Sequence, residues 1–159
     1  MDAIYVTDTS SWIELGQYYP QDTFTNLWDH LQSLIKDGRI ISPEEVLKEI
    51  SPKKGPEIYR WCYGNKKMFA KNNSEILSIV STIMANHQQL VNPNKIGAAA
   101  DPFVIALARS RLNNIAESKV MVVSQENAAK KDRIPFVCRA YGLECIRLVD
   151  LFQREKWRF

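Results

Sequence analysis

AIYVTDTSS, residues 3–11, carries the chain from a short apolar segment straight into a helix start. Ile4, Tyr5, Val6 and Thr7 are β-branched or aromatic and bounded by polar residues, the pattern of a short buried strand. Asp8 stands where that strand stops. Thr9, Ser10 and Ser11 favour a helix N-terminus, and Trp12, Ile13 and Leu15 begin an apolar helical face behind them. The acid therefore occupies a strand-to-helix turn. In an open parallel sheet that turn lies at the carboxyl edge, where such folds place their ligands. A helix cap suits the same position, because an Asp there accepts backbone N–H groups of the first turn.

Working outward, the pattern alternates between strand and helix. Thr23 or Thr25 caps a second helix carrying Leu27, Trp28, Leu31, Leu34 and Ile35, which Asp37-Gly38 ends. Arg39–Ile41 is a very short strand. Ser42-Pro43-Glu44-Glu45 opens another helix, with Ser42 as cap, running to Ile50. The block from Ser51 to Asn73 mixes basic, aromatic and breaker residues and reads as short surface helices. Ile76, Leu77, Ile79, Val80, Ile83, Met84 and His87 keep helical spacing, closed by Asn92-Pro93-Asn94, and Ile96–Arg111 is an alanine-rich buried helix. KVMVVS, residues 119–124, is an uninterrupted apolar strand of the kind covered on both faces. A helix over Ile134–Tyr141, a strand over Glu144–Leu148 and a C-terminal helix complete the order. The expectation is an α/β fold, three layers α/β/α around a central, mainly parallel sheet, in one domain over residues 1–159.

The bulk numbers agree with one core. The chain has 159 residues, 45% of them hydrophobic, and a formal net charge of +3, which permits an anionic partner without demanding one. Cys62, Cys138 and Cys145 are an odd set without CxxC spacing, so neither a disulfide framework nor a zinc site is expected. No basic n-region with a long apolar run opens the chain, and no apolar stretch approaches membrane-spanning length. A soluble, cytoplasmic protein is the expectation.

Four acids stand next to apolar segments or strand ends. Glu49 borders the stripe Val46, Leu47, Ile50, and lies four residues after Glu45, a like-charge spacing that repels. An amphipathic surface helix with spare negative charge suits that pattern as well. Asp101 follows three alanines and precedes Pro102, the signature of a helix cap and also of an acid kept ionised by a helix start. Glu126 follows the strongest strand by two residues, at the same edge as Asp8 if the strands are parallel. Loop acid is its alternative. Were such carboxylates to converge, each pair at about 5 Å would repel by roughly 3 kcal/mol at an effective dielectric near 20. A hard divalent ion, Mg²⁺ or Mn²⁺, answers that repulsion, and a carboxylate site holding it suits phosphodiester hydrolysis. GxSxG and Walker-type loops are absent from the sequence.

The chain resembles the PIN-domain nucleases, a family that includes many toxins of toxin–antitoxin pairs. The matching segments are VTDTSSWIEL at the start, ISPEEVLKEI, AAADPFVIALA and VVSQEN, in family order and over nearly the whole chain. The resemblance implies metal-binding and catalytic acids at Asp8, Glu49, Asp101 and Glu126, with Ser10 beside the first and Ser124 two residues before the last. The fourth segment departs from the family's commoner Thr-x-Asp, having Ser124-Gln125-Glu126, which leaves Asp132 as a rival. The resemblance further implies a metal-dependent ribonuclease, dimerisation, and an antitoxin that blocks the site. A module of the same fold that binds RNA or protein without cleaving is the alternative.

Substrate contacts are expected from Ser10, Ser124, Lys130, Lys131 and Arg133. Lys53, Lys54, Lys66, Lys67 and Lys71 interleave with Tyr59, Trp61 and Tyr63, a mixture suited to a single-stranded backbone with stacked bases, or to a solvated surface with its aromatics turned inward. Trp12 and Trp28 sit on apolar stripes and are read as core. His30 and His87 have no ligand spacing and are given no role.

Overall fold

The computed structural model describes residues 2–53, 55–90, 98–114, 119–130 and 133–159. Its strands are β1 (Ile4–Thr7), β2 (Ile40–Pro43), β3 (Phe69–Ala70), β4 (Val120–Val123) and β5 (Glu144–Ile146). They form one sheet in the order β3-β2-β1-β4-β5, and every pairing is parallel. The helices are α1 (Thr9–Tyr18), α2 (Thr25–Lys36), α3 (Glu44–Glu49), α4 (Pro56–Gly64), α5 (Ser74–Asn86), α6 (Asp101–Asn114), α7 (Ile134–Ala140) and α8 (Leu148–Arg154). Right-handed crossovers put α1 to α4 on one face while the chain moves from β1 towards β3, and α5 to α7 on the other as it returns. The packing agrees: α1, α3 and α4 touch one another, whereas α6 packs on α5, α7 and the central strands. The fold is the expected three-layer α/β/α arrangement.

Hydrophobic strands dictate the centre. Val120, Met121, Val122 and Val123 are all buried, as are Tyr5 and Val6 beside them, which is what a parallel sheet covered on both faces demands. Thr7 pairs with Val123, and Val123 with Ile146, so Asp8 and Ser124 emerge together one residue beyond the paired row. Strand order reverses between β1 and β4. That makes their carboxyl ends the topological switch point of the sheet, the crevice where open α/β folds take ligands.

Trp12 (0% exposed) and Trp28 (6%) are core, as expected, and both pack on Trp61 with ring centroids 5.5 and 4.9 Å apart. A glycine permits the approach of α1 to α4, because a Cβ at Gly16 would stand 2.7 Å from Ile58 Cβ. The C-terminal segment is tied down by Glu155, which receives Arg39 Nη1 at 3.0 Å and Nη2 at 2.7 Å, and the Tyr5 hydroxyl at 2.5 Å. The three cysteines are free. Among the described residues no helix is long and apolar enough to cross a membrane.

Several local expectations change. Neither Thr23 nor Thr25 caps α2; Phe24 holds the cap position without a side-chain bond, and Thr25 Oγ1 donates back to Gln21 O at 3.3 Å. Ser42 is no cap either. It belongs to β2, fully buried, donating from Oγ to Thr7 O at 2.6 Å and accepting from Trp12 Nε1 at 3.1 Å. Strand pairing and two buried partners outcompete the local capping preference. The helix expected over Ile96–Arg111 is α6, opening at Asp101 after a 3₁₀ turn at Ala98–Ala100; Ile96 and Asn92-Pro93-Asn94 lie outside the described residues. The last strand stops at Ile146 because Leu148 already begins α8. β3 has two residues, too short to leave a periodic trace.

Candidate active site

Asp8 is built into the switch point from three directions. Its backbone N–H donates to Val123 O at 3.1 Å, extending the sheet by one bond, and its extended φ/ψ of −87° and 175° turns the chain into α1. Its Oδ1 accepts from Ser11 N at 2.9 Å, so the capping role is real. Ser10 Oγ reaches both carboxylate oxygens, at 2.9 and 2.7 Å, and Ser124 Oγ donates to Oδ2 at 2.6 Å. Asp8 is nevertheless 1% exposed. Burial pushes its carboxyl up to about 6, and the hydrogen bonds from Ser124, Ser10 and Ser11 hold it from rising further.

Those serines are held in turn. Ser10 Oγ accepts from Gln125 N at 3.0 Å, and Ser124 Oγ from Glu126 N at 3.2 Å. Gln125, with its amide oriented to satisfy both ends, donates to Glu14 Oε2 at 2.8 Å and accepts from Leu148 N at 3.0 Å. This latch between α1 and α8 had no local signal, since both of its partners come from distant segments.

Glu49 comes to the same edge from α3. Its Oε1 accepts from Thr9 Oγ1 at 2.6 Å and its Oε2 from Ala100 N at 3.4 Å. The next residue after Ala100 is Asp101, 5% exposed at the start of α6. A connected path thus runs Asp8, Thr9, Glu49, Ala100, Asp101 through three segments far apart in sequence. Glu126 bonds to groups just after it in the chain: Oε2 faces Arg133 Nη1 at 3.3 Å and Oε1 accepts from Ile134 N at 3.3 Å, at the start of α7. Lys130 is exposed and Arg133 half-buried, whereas Lys131, Lys54 and the rival acid Asp132 lie outside the described residues.

In donor chemistry these groups suit a hard divalent ion, being carboxylates and hydroxyls with no thiol or imidazole among them. Among the described residues, no group of three His, Cys, Asp or Glu is placed to hold a metal ion. One or two carboxylates with water and a substrate phosphate are the usual Mg²⁺ arrangement, and carboxylates are the donor type this path supplies. One further acid shares the helix face of Glu49. Among the described residues Glu45 Oε1 is buried without a hydrogen-bond partner, while Oε2 accepts from Asn72 Nδ2 at 3.2 Å. The sequence offered only its repulsive spacing from Glu49.

The family model of DUF4411, described as a domain of unknown function, matches residues 5–159. The chain belongs to the DUF4411 family. Every acid described above falls inside that match, so in this DUF4411 chain fold and candidate site are parts of one family unit. No curated protein and no solved structure matches it.

Proposed function

We propose that this DUF4411 protein is a divalent-metal-dependent endoribonuclease of PIN type. Mg²⁺ or Mn²⁺ would be held by carboxylates drawn from Asp8, Glu49 and Asp101, with Glu126 behind them. The observation that carries this is Asp8, an acid kept 1% exposed at the switch point with four hydrogen bonds converging on it. A cap alone has no need of that burial, which costs stability. Desolvated, oriented carboxylates are a signature of sites where chemistry is done.

A bound hard cation would supply activation of water for in-line attack and neutralisation of charge developing on the phosphoryl oxygens. The chain's own residues do the rest. Ser10, Ser11 and Ser124 fix the Asp8 carboxylate in one orientation, and Thr9 fixes Glu49, so the acids meet the substrate without reorganising. Lys130 and Arg133 stand beyond Glu126 and offset the phosphate charge, with Lys131 next to them in sequence. In the same proposal the protein is a homodimer and the toxin of a pair whose antitoxin covers this edge.

A second reading, a module of the same fold that binds RNA or protein without cleaving, is favoured by one feature. Glu126 accepts from Arg133 and from the backbone at the start of α7, contacts that neutralise it locally. Purified protein incubated with total RNA separates the two. Cleavage with Mn²⁺ or Mg²⁺, abolished by EDTA and by Asp8→Asn, is the expected result. Cleavage of equal rate in Asp8→Asn, or cleavage indifferent to EDTA, overturns the nuclease proposal.

A further inference from the structure

The groove between the end of α3 and the outer face of α4 has no part in holding the acids. Leu47, Lys48, Ile50 and Pro52 form one wall, and Tyr59 and Tyr63 the other, around about 410 Å³. The two rings are one helical turn apart on α4, with centroids 5.8 Å apart and planes inclined at 31°. Tyr63 is 54% exposed, a large aromatic surface left facing solvent. Lys66 Nζ lies 5.9 Å from its ring centroid. Trp61, between them in sequence, turns the other way and packs against Trp12 and Trp28. The aromatics of this block are therefore divided, one into the core and two along the groove.

Charge identifies the occupant. Residues 47–71 contain seven basic side chains against two acidic ones, while the whole chain has a net charge of only +3. This stretch of chain is locally basic, and two of its cations are placed at the groove, Lys48 in its wall and Lys66 beside the Tyr63 ring. Aromatic faces with lysines beside them match unpaired bases on an anionic backbone. Position agrees too. Leu47, Lys48 and Ile50 line the groove, while Glu49, on the same short helix, turns towards Thr9 and Ala100. Groove and acids are separated by the width of one helix, about 10 Å.

We infer that the Tyr59–Tyr63 groove binds single-stranded RNA, stacking unpaired bases on the two rings while Lys48 and Lys66 hold the flanking phosphates. This rests on RNA as the ligand in the proposed function and specifies where bases beside the cleaved bond are held. A double helix is excluded because its bases are already stacked on one another.

The test uses the whole protein in EDTA, so that nothing is cleaved, with fluorescein-labelled decauridylate and a ten-base-pair RNA duplex as probes read by anisotropy. Tyr63→Ala is expected to weaken decauridylate binding about tenfold and leave the salt dependence unchanged. Tyr63→Phe should stay within about twofold. Lys48→Ala and Lys66→Ala should each lower the slope of log affinity against log salt by about 0.7. Thermal melting of each variant checks that it remains folded. The inference is overturned if the wild type binds duplex as tightly as decauridylate, or if Tyr63→Ala, folded, binds decauridylate like the wild type. Loss of cleavage in Asp8→Asn is read separately with Mn²⁺, so groove and catalytic proposal fail independently.

Discussion

Asp8→Asn tests the burial of the site acid through stability alone, with no substrate present. The carboxyl rises from an ordinary 3.8 to about 6 because burial penalises its charged form. The folded state therefore holds the Asp8 proton more tightly than the unfolded state does. Its contribution to stability is complete below pH 3.8 and is lost as the pH climbs through about 6. At 1.36 kcal/mol per pH unit, the ionised form at pH 7 costs roughly 3 kcal/mol. Asn is nearly isosteric and bears no charge to desolvate; its amide oxygen keeps the bond from Ser11 N, while its NH2, at the place of Oδ2, donates to Ser124 Oγ with that hydroxyl reoriented. In EDTA, the stability of Asp8→Asn relative to wild type should rise by about 3 kcal/mol between pH 3 and pH 7. For a chain of this size that is about 6–12 °C in melting temperature. Urea titrations across the pH series give the difference curve directly. A curve that is flat or falls with pH refutes the assignment of burial as the dominant influence on Asp8. Millimolar Mn²⁺ should then raise the melting temperature of wild type but not of the variant, since binding to the folded state alone stabilises it.

Thr9→Val removes the 2.6 Å donor to Glu49 while keeping the buried shape; cleavage should fall about 10- to 100-fold with the fold intact by circular dichroism. Unchanged cleavage would separate Glu49 from the reaction. Ser42→Ala strips the Trp12 indole N–H of its acceptor and the Thr7 carbonyl of a donor, both buried, and should cost about 2 kcal/mol in chemical denaturation. A loss under about 0.5 kcal/mol would mean that other groups take over both partners. Gly16→Ala drives a methyl to within 2.7 Å of Ile58 Cβ, so α1 and α4 must part, at about 1–3 kcal/mol. A variant as stable as wild type would show that this contact relaxes freely.

The elements bordering the site were legible because their signals are local. A run such as VMVV declares a buried strand, and an Asp between an apolar strand and Thr-Ser-Ser declares a strand-to-helix turn, from a handful of neighbouring residues. The positions of Asp8 and Asp101 at helix starts were readable the same way, and Glu49 by its phase on a helix that ends there, one residue before the expected Ile50. Tertiary structure decided what those acids touch. Ser42 left its capping role because Trp12 and Thr7, from another segment, were there to bond it. β3 exists only because β2 offers it an edge. Glu126 turned to Arg133 and the start of α7, and Asp8 lost its water to strands brought together from residues 4 and 120. Spacing along the chain carries the secondary structure, whereas desolvation and long-range partners, which set the chemistry of a carboxylate, exist only once the sheet has closed.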